Sequence, residues 1–203
     1  MTSICRSIAA TVLLLFLTAC HGWDRPLYEE NPASGGFVLG TWVNQEKGII
    51  RIFEKDKKYY AIILDREGAA FLQFSVTHHN DMILLNYDLA SVRTLPPDGN
   101  KEAAKMNDRH LYEAFSAKAT ERGLIFSGLD EKSLSKILED AGVRSTDDVC
   151  RSLAEQPKEP PAEKPSLLER CSVINTEFVE RTLGNKDLPL DQDHPIVLTP
   201  LAY

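Results

Sequence analysis

Between Phe37 and Ser127 the chain falls into short apolar-rich runs, several of them alternating apolar and polar side chains, each broken by turn-forming residues. A period of two over four to eight residues is the mark of half-buried strands, and short strands with regular turns fold as an antiparallel meander. The runs are Phe37–Val43, Ile49–Glu54, Tyr59–Asp65, Phe71–His78, Met82–Tyr87, His110–Lys118 and Leu124–Ser127. Tyr60, Ile62 and Leu64 share one face of their strand, as Leu72, Phe74 and Val76 do on theirs. Between the runs, Glu54–Lys58 forms a charged hairpin tip, Gly68 suits a positive-φ site, and His79-Asn80-Asp81 fits a tight connection. About seven strands are expected, forming a strongly curved sheet or partial barrel.

Residues 101–121 pull two ways. Leu111, Phe115 and Ala119 recur at helical spacing, but Gly123 and the following LIFSGL run complete a hairpin. A strand from about His110 is therefore favoured. Beyond Asp130 the period lengthens, and two or three helices are expected: an α+β chain, mainly β. Leu134, Ile137 and Leu138 lie on one face of Glu131–Ala141, with Asp130 as N-cap and Gly142 past its end. Residues 145–154 read as a second helix and Ser166–Leu183 as a third. The four prolines of Gln156–Pro165 make an exposed, extended loop, and Ile196-Val197-Leu198 in the tail offers an edge strand.

The first twenty residues follow a different logic. Arg6 gives a short positive region, and Ile8–Leu17 is apolar but well short of the ~20 residues that span a bilayer. Leu17-Thr18-Ala19-Cys20 follows, and this resembles the lipobox of bacterial lipoproteins. The resemblance implies a signal peptide over 1–19, cleavage before Cys20, diacylglycerol on the Cys20 thiol and a further acyl chain such as palmitate on the new amine. His21, where Asp would signal retention in the inner membrane, implies the outer membrane, facing the periplasm. The expected organisation is then a lipidated tether over 20–36, a β domain ending in a helix over 37–144, and a helical C-terminal lobe over 145–203. Trp23 and Tyr28 in the tether suit either the lipid headgroup region or packing on the barrel's end.

Of the four cysteines, Cys5 would leave with the signal and Cys20 would carry lipid. Cys150 and Cys171 remain, and an oxidising compartment favours a disulfide over a redox or metal pair. Removal of Arg6 deepens the net charge from −7 to −8, which argues against nucleic acid as a partner.

Chemistry is sparse. His78, Asp81 and His110 are the candidate metal ligands, with Asp108 a further possibility, but neighbouring strand residues such as His78 and His79 point to opposite faces. There is no G-x-S-x-G elbow and no phosphate-cradling glycine loop. No catalytic residue and no cofactor beyond the covalent lipid is assigned. Gly40-Thr41-Trp42 resembles the G-x-W signature of lipocalins, an eight-stranded family. That resemblance implies a concave apolar interior for a ligand. The aromatic candidates to line it are Tyr60, Phe74, Phe115 and Phe126. Three functions follow: a non-enzymatic envelope lipoprotein binding another envelope component or assembly partner; a lipocalin-like binder of a small molecule or lipid; and a metal-dependent hydrolase.

Overall fold

The computed structural model describes residues 22–65, 68–95, 110–154 and 165–201. The leader, Cys20, Asp108 and nearly all of the proline-rich loop lie outside these. A two-residue strand, β1 (Gly22–Trp23), precedes the meander: β2 (Gly40–Asn44), β3 (Ile49–Lys55), β4 (Lys58–Leu64), β5 (Ala69–His79) and β6 (Met82–Asp88). After the short β7 (Arg93–Leu95), β8 (Tyr112–Thr120) and β9 (Gly123–Ser127) complete the expected hairpin. All seven expected strands form. The remainder is α1 (Glu131–Asp140), α2 (Thr146–Val149), β10 (Cys150–Leu153), β11 (Cys171–Ile174), α3 (Thr176–Leu183) and β12 (Ile196–Pro200).

The sheet is a full barrel rather than a partial one. β12 pairs antiparallel with β2 on one side and β9 on the other, and β9 pairs with β8, so β2-β3-β4-β5-β6-β8-β9-β12 close into eight antiparallel strands. The tail therefore supplies the eighth stave, not an edge strand on a helical lobe. Closure removes both exposed edges that a seven-stranded meander would leave. Gly123 permits it: its φ is +145°, and a Cβ there would lie 1.9 Å from the carbonyl oxygen of Leu198 on β12. Only glycine tolerates both the conformation and the approach.

One end of the barrel is plugged. A single 3-10 turn at Gly36–Val38 carries Val38, fully buried, into the interior cluster where β2 begins. The indole Nε1–H of Trp42 donates to the Val38 carbonyl at 2.9 Å. Gly40, at φ +149°, lies against the same indole, whose ring atoms sit 3.3 Å from the position a Cβ would take. The G-x-W tripeptide thus ties the first stave to its plug.

The expected tether over 20–36 does not hang free from Gly22 onward. β1 is inserted between β8 (antiparallel) and β11 (parallel), and Trp23, Leu27 and Tyr28 are buried. The chain then crosses the outer wall of the barrel. Asn86 accepts from the Leu27 N–H at 2.8 Å, and both Asn86 and the Thr77 hydroxyl donate to the Leu27 carbonyl. Those bonds satisfy backbone groups that burial would otherwise leave unpaired. Trp23 and Tyr28 are packed on the outer wall of the barrel, under the helical lobe, and not on its end.

The lobe outside the barrel is less helical than its spacing suggested. α2 is a single turn capped by Ser145, and the expected helix over Ser166–Leu183 splits into a 3-10 turn, β11 and α3. Asn175 restarts the helix, its side chain accepting from the Phe178 N–H at 3.4 Å; Asn favours a cap over a helix interior. β10 and β11 pair antiparallel, and the Cys150–Cys171 disulfide clamps these strands rather than two helices. Closing a loop of this size contributes about 3 kcal/mol in the chain-entropy account.

Candidate functional site: the barrel interior

Register decides which side chains face inward. The cross-strand rows Ile52–Ala61–Leu72, Val76–Leu85–Phe115 and Phe74–Tyr87–Glu113 all point into the barrel, with Phe126 and Ile196 opposite Ala117. They do not fill it. A wholly apolar cavity of about 60 Å³ remains, bounded by Ile52, Ile63, Phe74, Tyr87, Phe115 and Phe126 among others.

Three of the four aromatic candidates, Phe74, Phe115 and Phe126, line this cavity. Tyr60 does not. It pairs with Gln73, out of phase with Ala61 and Ile63, and stacks on the outer wall between Phe53 and Phe71, each ring centre 5.5 Å away. Alternation groups residues by face, but it does not say which of two apolar faces turns inward.

Among the described residues the inner face of the barrel carries an ionisable pair, Tyr87 and Glu113. The Tyr87 hydroxyl donates to Oε2 of Glu113, while Glu113 Oε1 is buried without a hydrogen-bond partner. Burial pushes the Glu113 carboxyl up to about 8; Tyr87's hydrogen bond opposes this and the charge of Glu131 adds to it. Burial and the Glu113 charge likewise raise Tyr87 well above an ordinary phenol. At neutral pH the pair is therefore predominantly uncharged, which is how an apolar interior accommodates it. Reasoning from sequence missed both residues. The signal was present: Glu113 is in phase with Phe115 and Ala117, a charge on the strand's apolar face.

The candidate metal ligands do not meet. His78 and Asp81 are exposed near the β5–β6 turn, whereas His110 precedes β8 and bonds to Asp88 at 2.7 Å. His78 is level with Ile83 on β6, so the five residues from there to Asp88 separate the two histidines by about 17 Å. Among the described residues no group of three His, Cys, Asp or Glu side chains is placed to hold a metal ion. His79, next to His78, is buried instead. It stacks on Tyr28 at 3.9 Å and bonds through Nε2 to the Lys186 carbonyl at 2.8 Å.

A second polar cluster stitches the lobe to the N-terminal segment. Arg25 pairs with Glu180 at 2.8 Å, and the Tyr28 N–H also donates to Glu180. Burial raises the Glu180 carboxyl against the pull of both partners. Burial acts on Asp24 too, but hydrogen bonds from the N–H and hydroxyl of Thr176 and from Arg151 outweigh it and leave that carboxyl low. These contacts hold Gly22–Tyr28 against α3, although Arg25 Nε and the Tyr28 hydroxyl are buried without a hydrogen-bond partner.

Comparison with protein-family models, with curated proteins and with solved structures finds no match to this chain.

Proposed function

We propose that this protein is a non-enzymatic, lipid-anchored envelope protein whose barrel takes up a slender apolar guest. The observation that carries the reading is the apolar cavity inside a closed barrel whose other contents are already packed. Its volume sets the guest. About 60 Å³ is under half of the ~150 Å³ apolar cavity that admits benzene, so a short alkyl group fits and a fused-ring ligand does not. The resemblance to lipocalins at Gly40–Trp42, together with an N-terminal plug and eight antiparallel strands, supports the same reading.

The anchor rests on Leu17–Cys20, outside the described residues. Among the described residues no helix is long and apolar enough to cross a membrane. Cys20 lies only two residues before β1, a reach of at most ~7 Å, so lipid on its thiol would hold the barrel against the membrane surface with almost no linker.

Native mass spectrometry of protein purified from membranes tests the guest. A retained apolar adduct that disappears in Phe115→Trp, where the indole occupies the cavity, is the expected result. No adduct, with no binding of short alkyl probes, would overturn the reading. Metabolic labelling with palmitate tests the anchor: label should enter the parent chain and not Cys20→Ser.

A second reading, binding of another envelope protein, is favoured by the outer wall. The Phe53–Tyr60–Phe71 stack continues into Ile62 and the exposed Ile49 and Leu64, with Arg51 and Arg93 in the same cross-strand row as Phe71. Crosslinking in intact envelopes should capture a stoichiometric protein partner that is lost in Tyr60→Asp. Capture of none would leave the wall as plain surface.

A further inference from the structure

Three of the five large apolar side chains that stay exposed among the described residues, Ile49, Leu64 and Phe71, lie on one wall, the outer face of β3, β4 and β5. Register brings them together: Ile49 is opposite Leu64, and Phe71 is opposite Ile62, two residues before Leu64. The ring stack from Phe53 through Tyr60 to Phe71 extends the apolar surface along the strands. Leaving so continuous a patch in water is costly, and such patches mark contact surfaces.

The charges set into this wall have one sign. In the outward phase of β3 and β4 they are Arg51, Lys55 and Lys58, and β5 adds no acid. The acids of the region, Glu46, Glu54, Asp56 and Asp65, belong to the turns or to the opposite phase. Arg51 is opposite Ile62 and Arg93 is opposite Phe71, so two guanidinium groups bracket the apolar side chains in one cross-strand row. Both are exposed and donate to neutral oxygens: Arg51 to the Thr41 hydroxyl at 2.6 Å, Arg93 to the carbonyls of Ala90 and Val92 at 2.7 and 2.8 Å. Among the described residues neither is in a salt bridge. In a chain of net charge −7, uncompensated cations around an apolar patch call for an anionic partner.

Shape selects among such partners. β3, β4 and β5 are each paired on both sides, so a peptide cannot add as a further strand. The outside of a closed barrel is convex and offers no groove to a helix. A fluid lipid surface conforms to a convex face and presents the matching chemistry, phosphates for the guanidinium forks and a headgroup–acyl boundary for rings and aliphatic chains. We propose that the outer face of β3, β4 and β5 lies on an anionic lipid surface, with Ile49, Leu64 and Phe71 entering the headgroup–acyl boundary and Arg51 and Arg93 on lipid phosphates. This goes beyond the guest and anchor readings and stands without either. It gives the outer wall a lipid occupant in place of the protein one considered above.

Photo-crosslinking of the full chain on vesicles tests this, with a diazirine on the acyl chains of phosphatidylcholine and with or without added phosphatidylglycerol. Peptides spanning 49–64 and 69–75 should be labelled on the anionic vesicles, and Leu64→Glu with Phe71→Glu should remove that label. A basic side chain near an anionic surface contributes about fivefold in affinity, so Arg51→Gln with Arg93→Gln should weaken the contact ~25-fold. Arg51→Lys with Arg93→Lys keeps the charge and should restore most of the labelling, which a misfolded variant would not. Equal labelling with and without phosphatidylglycerol, or labelling that survives in the double glutamine variant, overturns the proposal. A chain that stays with the vesicles but is labelled only elsewhere overturns it too and leaves the lipid anchor standing. So does capture in intact envelopes of a stoichiometric protein crosslinked to these same peptides, which would return the wall to the protein reading.

Discussion

Strands β6 and β8 carry both of the molecule's cores, one on each face, and the two faces are finished differently. Outward, Leu84 and Ala114 are sealed against Trp23, Leu27, Leu134, Leu138 and Val179 in a seam that also holds the disulfide. Inward, Leu85, Tyr87 and Phe115 border the unfilled cavity with Glu113 beside it. The near-continuous apolar run Met82–Leu85 reflects this double burial, since a strand covered on both sides has no reason to alternate. Side chains on the seam face optimise contact with fixed neighbours. Those on the inner face leave space, and an ionisable group beside that space is expensive unless something uses it.

The comparison can be broken most severely by removing the strand on which the interior depends. Deleting residues 196–203 takes away the pairings of β12 with both β2 and β9, so the barrel should open and cooperative unfolding should vanish from near-UV circular dichroism. A retained cooperative transition would mean that the interior does not need its eighth stave.

Glu113→Gln comes next. The folded carboxyl titrates near 8 and an unfolded one near 4.5. The raised value contributes stability that is fully present below about 4.5 and is lost as pH rises to about 8. Replacing the acid with a neutral amide removes that loss. The variant should thus gain on the order of 4 kcal/mol at pH 8 and almost nothing at pH 4, read from urea unfolding at the two pH values. A gain independent of pH would contradict the buried-acid assignment.

Leu84 and Leu85 offer the most direct comparison: neighbours of identical chemistry facing opposite cores. Leu84→Ala should cost about 3–4 kcal/mol, near the upper half of the range for sealed leucines. Leu85 already borders empty space and gives up fewer contacts, so Leu85→Ala should cost about 2 kcal/mol and, alone of the pair, tighten binding of a short alkyl probe. Denaturant midpoints in the reverse order would show that the inner face is the better packed. The smallest effect belongs to the cap of α1. Asp130 accepts from the Ser133 N–H at 3.1 Å, and Asp130→Ala should cost about 1 kcal/mol without changing ligand binding.

Much of this was legible in the chain. The strands follow from alternation, their turns from Gly, Asn and charged clusters, α1 from Asp130 and its 3.6-residue face, and the disulfide from the pairing expected of Cys150 and Cys171. Phe74, Phe115 and Phe126 could be named as interior aromatics before any coordinates. The lost ground has one cause, contacts between residues distant in sequence. Tyr60 lies on a strand with two apolar faces, and only the closed barrel shows that its face is the outer one. Leu167, Cys171, Ile174 and Phe178 fall at helical spacing, but pairing with β10 makes Cys171–Ile174 a strand. Residues 22–36 carry prolines and glycines like a linker, yet Asn86 and Thr77 on the barrel wall bind the Leu27 backbone.

By itself the sequence determined the local conformations: which segments extend, where they turn, where a helix starts and which thiols pair. These depend on dihedral preference, side-chain period and capping, all of which act within a few residues. Tertiary structure alone decided that Leu198 would stand between Leu124 and Asn44, that Gly123 would admit it, and that Glu113 would face Tyr87 across neighbouring strands. A barrel's inside comes into being only when its last strand closes, so whether a charge on one strand is buried or solvated depends on seven others.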